Sequence, residues 1–202
     1  MILVTCAVGK ELAFFAPQPH VEMLVTGVGP VEAAAAVSRA LAQGPYDLVI
    51  SAGIAGAFAG AADVGDGVVV SDELLELDIE TGERIPLPGD ARIVDRANSD
   101  LTLVDRLVEL GFARVRGITV GRVTATGATA ARLAAHDVGV ESMEGFAVLR
   151  AAEIAGVPAV EVRGISNIVG DRAESRWNFA AGAAGLERVL NALLGSIGTV
   201  DG

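Results

Sequence analysis

The sequence predicts one α/β domain spanning residues 1–202, with three layers: a central, mostly parallel mixed sheet and helices on both of its faces. Three observations carry that expectation. Apolar runs of strand length alternate with amphipathic runs of helix length from one end of the chain to the other, the pattern of βαβ units. The 202 residues are 51% hydrophobic but only 4% aromatic, with 25 glycines, so the core should pack Ala, Val and Gly closely. No repeat, low-complexity tract or linker interrupts the chain, and its length suits one sizeable core rather than two.

Composition also excludes classes of function. The net charge of −11 and the lack of a basic patch argue against nucleic acid as a partner. Cys6 is the one cysteine, so no disulfide framework exists within the chain, and its apolar surroundings mark it as a small core residue. His20 and His136 stand alone, which leaves no metal cluster, and no cofactor motif is complete. The longest uncharged run, Leu48 to Ala62, is too short and too rich in glycine to span a bilayer. The N-terminus lacks the basic region and cleavage site of a signal peptide, so the expected location is the cytoplasm.

In chain order, Ile2 to Val8 reads as a buried first strand that breaks at Gly9. Lys10 to Phe15 can start a short helix, which puts Glu11 at the strand's carboxyl end, where a helix dipole favours negative charge. Read alone, Glu11 is more simply a solvated first-turn glutamate. Val21 to Thr26 is a second strand, and Gly27-Val28-Gly29-Pro30 makes a tight turn into a helix over Val31 to Gln43. Glu32 stands where a third glycine belongs, so this is no dinucleotide fingerprint.

Asp47 to Ala52 is a third strand, followed by a run of small residues, Gly53 to Ala57. Asp66 to Glu76 is a long strand around Val68-Val69-Val70, and Thr81 to Asp95 is a polar surface loop. Ser99 or Asn98 should cap a helix over Asp100 to Leu110 that ends at Gly111. Val115 to Val123 is a strand followed by Thr124, Thr126 and Thr129, and Val138 to Val140 is a short one. A helix should open at Glu141 and close at Gly156, with Met143 and Glu144 in its first turn. Pro158 then precedes a strand carrying Val160, Val162 and Ile165, in which Gly164 lets the chain pass close to a neighbouring group. Ser166, Asn167 and Asp171 follow where that strand should end, beside the usual ligand crevice of an α/β sheet. Trp177 to Leu194 is the closing helix.

Five short motifs in this order, Ala7-x-x-x-Glu11, Gly27-x-Gly29, Gly53-Ile54-Ala55-Gly56, Met143-Glu144-Gly145 and Val162-Arg163-Gly164-Ile165-Ser166-Asn167, give the chain a family likeness. From Ile2 to about Leu194 it resembles the purine nucleoside phosphorylase/nucleosidase superfamily, in the branch of the methylthioadenosine/S-adenosylhomocysteine nucleosidases and futalosine hydrolases. The resemblance implies a nucleoside phosphorylase-like fold and a purine nucleoside as substrate. It also implies a homodimer or higher homo-oligomer whose neighbouring subunit closes the pocket. Glu11 matches the family's water-activating base. Met143 and Glu144 match the ribose floor and the acceptor for the ribose hydroxyls. Arg163 and Ser166 match positions that orient the acidic residues and residue 167. Gly53 and Ile54 lie in the substrate-binding turn.

Two departures narrow the expected reaction. The family's phosphorylases hold phosphate with an Arg and a hydroxyl residue where this chain has Ser51 and Ile54, which favours water as the acceptor. Asn167 stands where adenine-specific members have an Asp, and an amide suits a 6-oxopurine, since it can donate to the oxo group and accept from the protonated ring nitrogen. The likeness therefore points to hydrolysis of futalosine with release of hypoxanthine, a step of menaquinone biosynthesis. An adenine-releasing nucleosidase, a phosphorylase and a silent nucleoside-binding module remain open at this stage. Arg84, Arg92 and Arg122 are candidates for the far end of the substrate. The segment between Phe15 and Val21 is shorter than in the nucleosidases, which leaves the mouth of the site undefined.

Overall fold

A computed structural model describes residues 1–77, 87–89, 91, 93–173 and 175–198. Its strands are β1 (Ile2–Cys6), β2 (Val21–Val25), β3 (Leu48–Ala57), β4 (Gly67–Leu75), β5 (Arg96–Asn98), β6 (Ala113–Thr119), β7 (Val140–Ser142) and β8 (Ala159–Ile168). The helices are α1 (Pro30–Gln43), α2 (Leu101–Glu109), α3 (Gly127–Ala134), α4 (Gly145–Ala155) and α5 (Phe179–Gly198), with one 3₁₀ turn over Gly9–Leu12. All eight strands form one mixed sheet in the order β2-β1-β3-β7-β6-β4-β5, with β8 paired to both β3 and β4.

Residue alternation along the strands sorts the helices. Val4 and Ile50 point to the face covered by α2 and α5, through Val104, Leu107, Leu186, Val189, Leu190 and Leu193. Their neighbours Leu3 and Val49 point to the other face, against Ala33 and Val37 of α1 and Phe146 to Ala152 of α4. Burying each such Leu or Val stabilises the fold by about 1.5–3 kcal/mol. Strands buried on both faces explain why the sequence shows unbroken apolar runs rather than alternation.

Pairing also closes a circuit: β3 joins β8, β8 joins β4, β4 joins β6, β6 joins β7, and β7 returns to β3. Small and branched side chains (Ala55, Ala57, Val68, Val70, Val115, Val140, Ile165) fill it.

Several sequence expectations are corrected. The third strand does not stop at Ala52 but runs on to Ala57, because Gly53 pairs with Arg163 and Gly56 with Asn167 on β8. Glu141 and Ser142 belong to β7, which is paired on both sides, so the helix begins only at Gly145. The strand expected over Val115–Val123 is Ala113–Thr119. Asp100 itself caps α2, its Oδ1 accepting from the N–H of Thr102 (2.9 Å) and Leu103 (3.2 Å), while Ser99 Oγ turns inward and donates to the Val70 carbonyl (2.6 Å). The threonine cluster contains a helix cap: Thr126 accepts from the Thr129 N–H at the start of α3, a helix that the sequence did not disclose. Much of the loop expected over Thr81–Asp95, with Arg84 and Arg92, lies outside the described residues. Gly164 behaves as expected: a Cβ there would collide with the Gly182 carbonyl of α5.

Candidate active site

Beyond the carboxyl ends of β1, β2, β3 and β8, where β7 meets β3, lies a cavity of about 210 Å³. Ligand crevices of α/β sheets form at such places. Glu11, Ile54, Met143, Glu144, Ser166 and Asn167 all line it, joined by Val8, Val28, Glu141, Trp177 and Phe179. Residues scattered over more than 160 positions of sequence thus meet at one hollow. Gly53 and Arg163 are not in its wall and stand behind it.

Glu11 is buried on the 3₁₀ turn after β1. Its Oε2 accepts from the Val8 N–H and its Oε1 from the Ile54 N–H, both at 3.0 Å. A carboxylate has about four acceptor positions, so two remain for a ligand or water. The solvated-glutamate alternative is therefore out. Ile54 serves through its backbone, and Gly53 serves by lacking a side chain: a Cβ there would strike the Arg163 guanidinium and lie 3.0 Å from Glu11 Oε1.

Glu144 occupies the N-cap position of α4 but makes no side-chain cap. Instead Oε1 accepts from the Gly29 N–H at 2.8 Å, across 115 residues. The Gly27–Gly29 turn, with φ of 89° and 99°, exists to aim that donor. Burial pushes the Glu144 carboxyl above its usual range. The Arg163 charge and the Gly29 N–H oppose that rise, whereas the charges of Glu11 and Glu161 add to it.

Asn167 sits near the end of β8 with both ends of its amide engaged. Oδ1 accepts from Ser166 Oγ at 2.8 Å, and Nδ2 donates to Ser175 Oγ at 3.3 Å and to the Ile168 carbonyl at 3.4 Å. The single Ser166 hydroxyl proton is shared with the Ala55 carbonyl, at the longer distance of 3.2 Å. Along β3, Glu11 lies beside Gly53 and Asn167 beside Gly56. Gly53 and Gly56 are three residue steps apart on the strand, about 10 Å at 3.3 Å per residue. Such a span accommodates a purine with its ribosyl carbon and an attacking water.

Glu141 is a buried carboxylate of the wall that sequence reasoning passed over. Both of its oxygens are taken by Thr124, one by the N–H at 3.0 Å and one by the hydroxyl. It thereby ties down the segment carrying Val123, also in the wall. At the mouth, the Trp177 side chain is half exposed, and Lys10 Nζ stands 5.0 Å from the centre of the Phe179 ring. Arg122 lies exposed next to Val123. Cys6 is buried, and desolvation pushes its thiol up to about 12, so it is inert as a nucleophile. Among the described residues, no group of three or more His, Cys, Asp or Glu is arranged to hold a metal ion, and no helix is long and apolar enough to cross a membrane.

A mixed α/β sheet with this carboxylate-bearing hollow defines the class. The chain belongs to the phosphorylase superfamily, whose family model matches residues 2–195. Within it, the chain is similar to futalosine hydrolases. That of Streptomyces coelicolor is 37% identical over 188 residues, covering 85% of this chain and 77% of the relative. That of Thermus thermophilus is 33% identical over 184 residues, covering 87% and 81%. Among solved structures, the methylthioadenosine/S-adenosylhomocysteine nucleosidase of Neisseria meningitidis with methylthio-immucillin-A superposes with a TM-score of 0.81 at 17% identity. That match covers 96% of this chain and 98% of the nucleosidase. The Streptococcus pneumoniae nucleosidase with 8-aminoadenine gives 0.79 at 21%, covering 96% and 98%. At these identities the structural likeness speaks for the fold alone.

Proposed function

We propose that this protein hydrolyses the N-ribosidic bond of futalosine, releasing hypoxanthine and dehypoxanthine futalosine, as a step toward menaquinone. One observation carries the choice of water as acceptor. The backbone N–H groups of Val8, Ile54 and Gly29, which could otherwise bind an anion, all donate to Glu11 or Glu144. A phosphate dianion entering here would meet two carboxylates and find those donors taken.

Glu11 takes a proton from water as the water oxygen bonds to the anomeric carbon. The bond to the purine nitrogen breaks, its electron pair passes into the base, and a ring nitrogen gains a proton from solvent. Positive charge builds on the ribosyl ring in between. The free oxygen of Glu144 accepts from the ribose hydroxyls and stabilises that charge more in the transition state than in the substrate. Met143 supports the sugar from below. The Asn167 amide exchanges its 3.3 Å bond to Ser175 for one to the 6-oxo group, while Oδ1, held by Ser166, accepts from the protonated ring nitrogen. Arg163 acts from behind the wall, as a counter-charge. The working unit is one domain in the cytoplasm. It pairs with a second copy over the exposed apolar residues Met23, Val25, Val28 and Val31, of which Val28 also lines the cavity.

Incubating the protein with futalosine, its 6-amino analogue aminodeoxyfutalosine and methylthioadenosine, with and without phosphate, tests this reading. Hypoxanthine is expected from futalosine at a rate independent of phosphate. Base release that requires phosphate, or that favours the adenine substrates, overturns it. No release from any of them leaves a binding module.

A further inference from the structure

Behind the cavity wall, packed against Arg163, lie two carboxyl groups that the reaction above does not use. Glu73 on β4 and Glu161 on β8 are both completely buried, and Arg163 is 2% exposed. Two glycines make their slot. A Cβ on Gly117 would strike the Glu73 carboxyl, and one on Gly145 would lie 2.5 Å from Glu161 Oε1 and 2.7 Å from Glu73 Cδ. The two carboxyl groups therefore share one dry space.

Hydrogen-bond accounting limits what that space can hold. Thr119 Oγ1 accepts from the Phe146 N–H at 2.8 Å, so its proton is free to go to Glu73 Oε2, 2.7 Å away. Arg163 Nε donates to Glu161 Oε1 at 2.7 Å. Two oxygens are left over, Glu73 Oε1 and Glu161 Oε2, buried with no other partner. If both groups were ionised, two like charges would face each other without water. If both were neutral, Arg163 would lose its counter-ion. A single proton on Glu73, donated to Glu161, satisfies every atom. Desolvation, and then the Glu161 charge, do push the Glu73 carboxyl well above its usual range, against the Thr119 hydroxyl and the Arg163 charge.

The pair sits where it can govern the site. Arg163 is fixed at Nε by Glu161 and at Nη2 by Ser51 Oγ, at 3.2 Å. Nη1 then faces the gap over Gly53, on the side of Glu11. The same guanidinium also offsets the burial of Glu144. One cation thus stands behind both cavity carboxylates, and its place depends on Glu161 remaining charged and still.

We propose that Glu73 and Glu161 act as one proton-sharing unit that positions Arg163 behind Glu11 and Glu144, which makes both of them positioning residues for the reaction. The charged groups facing Glu73 are Glu161 and Arg163 on β8; β6 faces it with Thr119 and Gly117, and α4 with Gly145. Loss of the shared proton at alkaline pH puts a second negative charge against Glu161 and draws Arg163 away from the cavity. The kinetic part rests on the hydrolase reading; the existence of the pair does not.

The test uses the full-length protein and two variants, Glu73→Gln and Glu73→Leu. Gln can donate to Glu161 and accept from Thr119 as the protonated acid does, whereas Leu can do neither. Infrared spectra at neutral pH should show a protonated carboxyl band in the wild type that is missing from Glu73→Gln. This needs no substrate, so it stands even if futalosine is not turned over. In kinetics, Glu73→Leu should lower kcat by about 10²-fold, the size of effect seen when a catalytic group is misplaced by about 1 Å, with KM little changed. Glu73→Gln should restore most of that loss and abolish the alkaline fall of kcat. Stability has a matching sign. A group with a raised folded-state pKa stabilises fully below the ordinary carboxyl range, and that stability is lost as pH rises toward the raised value. The melting temperature of the wild type should fall over that window more steeply than that of Glu73→Gln. A band that survives in Glu73→Gln, or an alkaline limb and a pH–melting slope unchanged by it, would overturn the proposal. So would equal kcat losses in the two variants when both melt cooperatively.

Discussion

Replacing Glu11 by Gln tests the base and its setting together. Both oxygens of Glu11 accept a backbone N–H, from Val8 and from Ile54 at 3.0 Å each. Gln keeps one carbonyl oxygen, so one of these donors must face an NH₂ group. These bonds are part-buried, so a donor left unpaired costs at most about 1–3 kcal/mol. For a chain of this length each kcal/mol lowers the melting temperature by about 2–4 °C, which sums to about 2–12 °C. The chemical loss is larger. Removing a general base costs about 10²–10⁴ in rate, or about 3–5 kcal/mol of barrier at 1.36 kcal/mol per tenfold. The two effects separate by assay: hypoxanthine release gives kcat, calorimetric titration with futalosine gives Kd, and thermal unfolding gives the structural cost. The expected outcome is a folded variant that binds futalosine and turns over at least a hundredfold more slowly. Near-normal kcat would refute the assignment of Glu11 as base. An unchanged melting temperature would refute the pair of backbone bonds.

Glu144→Gln should behave differently, because only one Glu144 oxygen is held by the backbone. Its carbonyl can keep the Gly29 bond, so the melting temperature should move less than in Glu11→Gln while kcat falls more than KM rises; an effect confined to KM would reduce Glu144 to a docking group. Asn167→Asp should shift the ratio of kcat/KM toward aminodeoxyfutalosine by about ten- to a hundredfold, the worth of one buried polar group paired or unpaired. An unchanged ratio would end the base-reading role of Asn167.

Much of the fold was legible because the strands are strongly apolar and their breaks are marked by Gly and Pro. Where the reading failed, tertiary pairing had overruled local signals. The Gly53–Ala57 run looks like a turn, but each glycine is there to admit Arg163, Glu11, Asn167 or Val169 against a continuing strand. Glu141 looks like a first-turn helix residue, but β7 is captured from both sides. In the site, motif spacing brought out Glu11, Glu144 and Asn167, yet not the atoms they hold. A backbone donor 115 residues away, such as Gly29, leaves no trace in composition. Glu161 did leave one, a carboxylate set between the buried Val160 and Val162 in a strand buried on both faces. A charged residue at a doubly buried strand position needs a buried partner, and Arg163 two residues on, on the same side of the strand, was that partner.

The choice of acceptor and the working of the base have one physical cause. The sheet is shared with a nucleosidase only 17% identical in sequence, and a fold by itself does not specify the chemistry of its site. The decision falls on where a few N–H groups point. Ile54 is such a group: its amide ends on Glu11, while Ser51, two residues before Gly53, has its hydroxyl on Arg163. With the Ile54 N–H committed to Glu11 and the Gly29 N–H to Glu144, the hollow has acceptors facing it and those backbone donors taken. An anion is repelled from such a space. On the proposed reading such a space suits water instead, because water has two protons to give and Glu11 has two acceptor positions still open. Restoring phosphate use would therefore take more than an arginine at position 51. Arg163 would have to give up its bond to that position, and the Ile54 N–H would have to be released from Glu11, which removes the very contact that places the base.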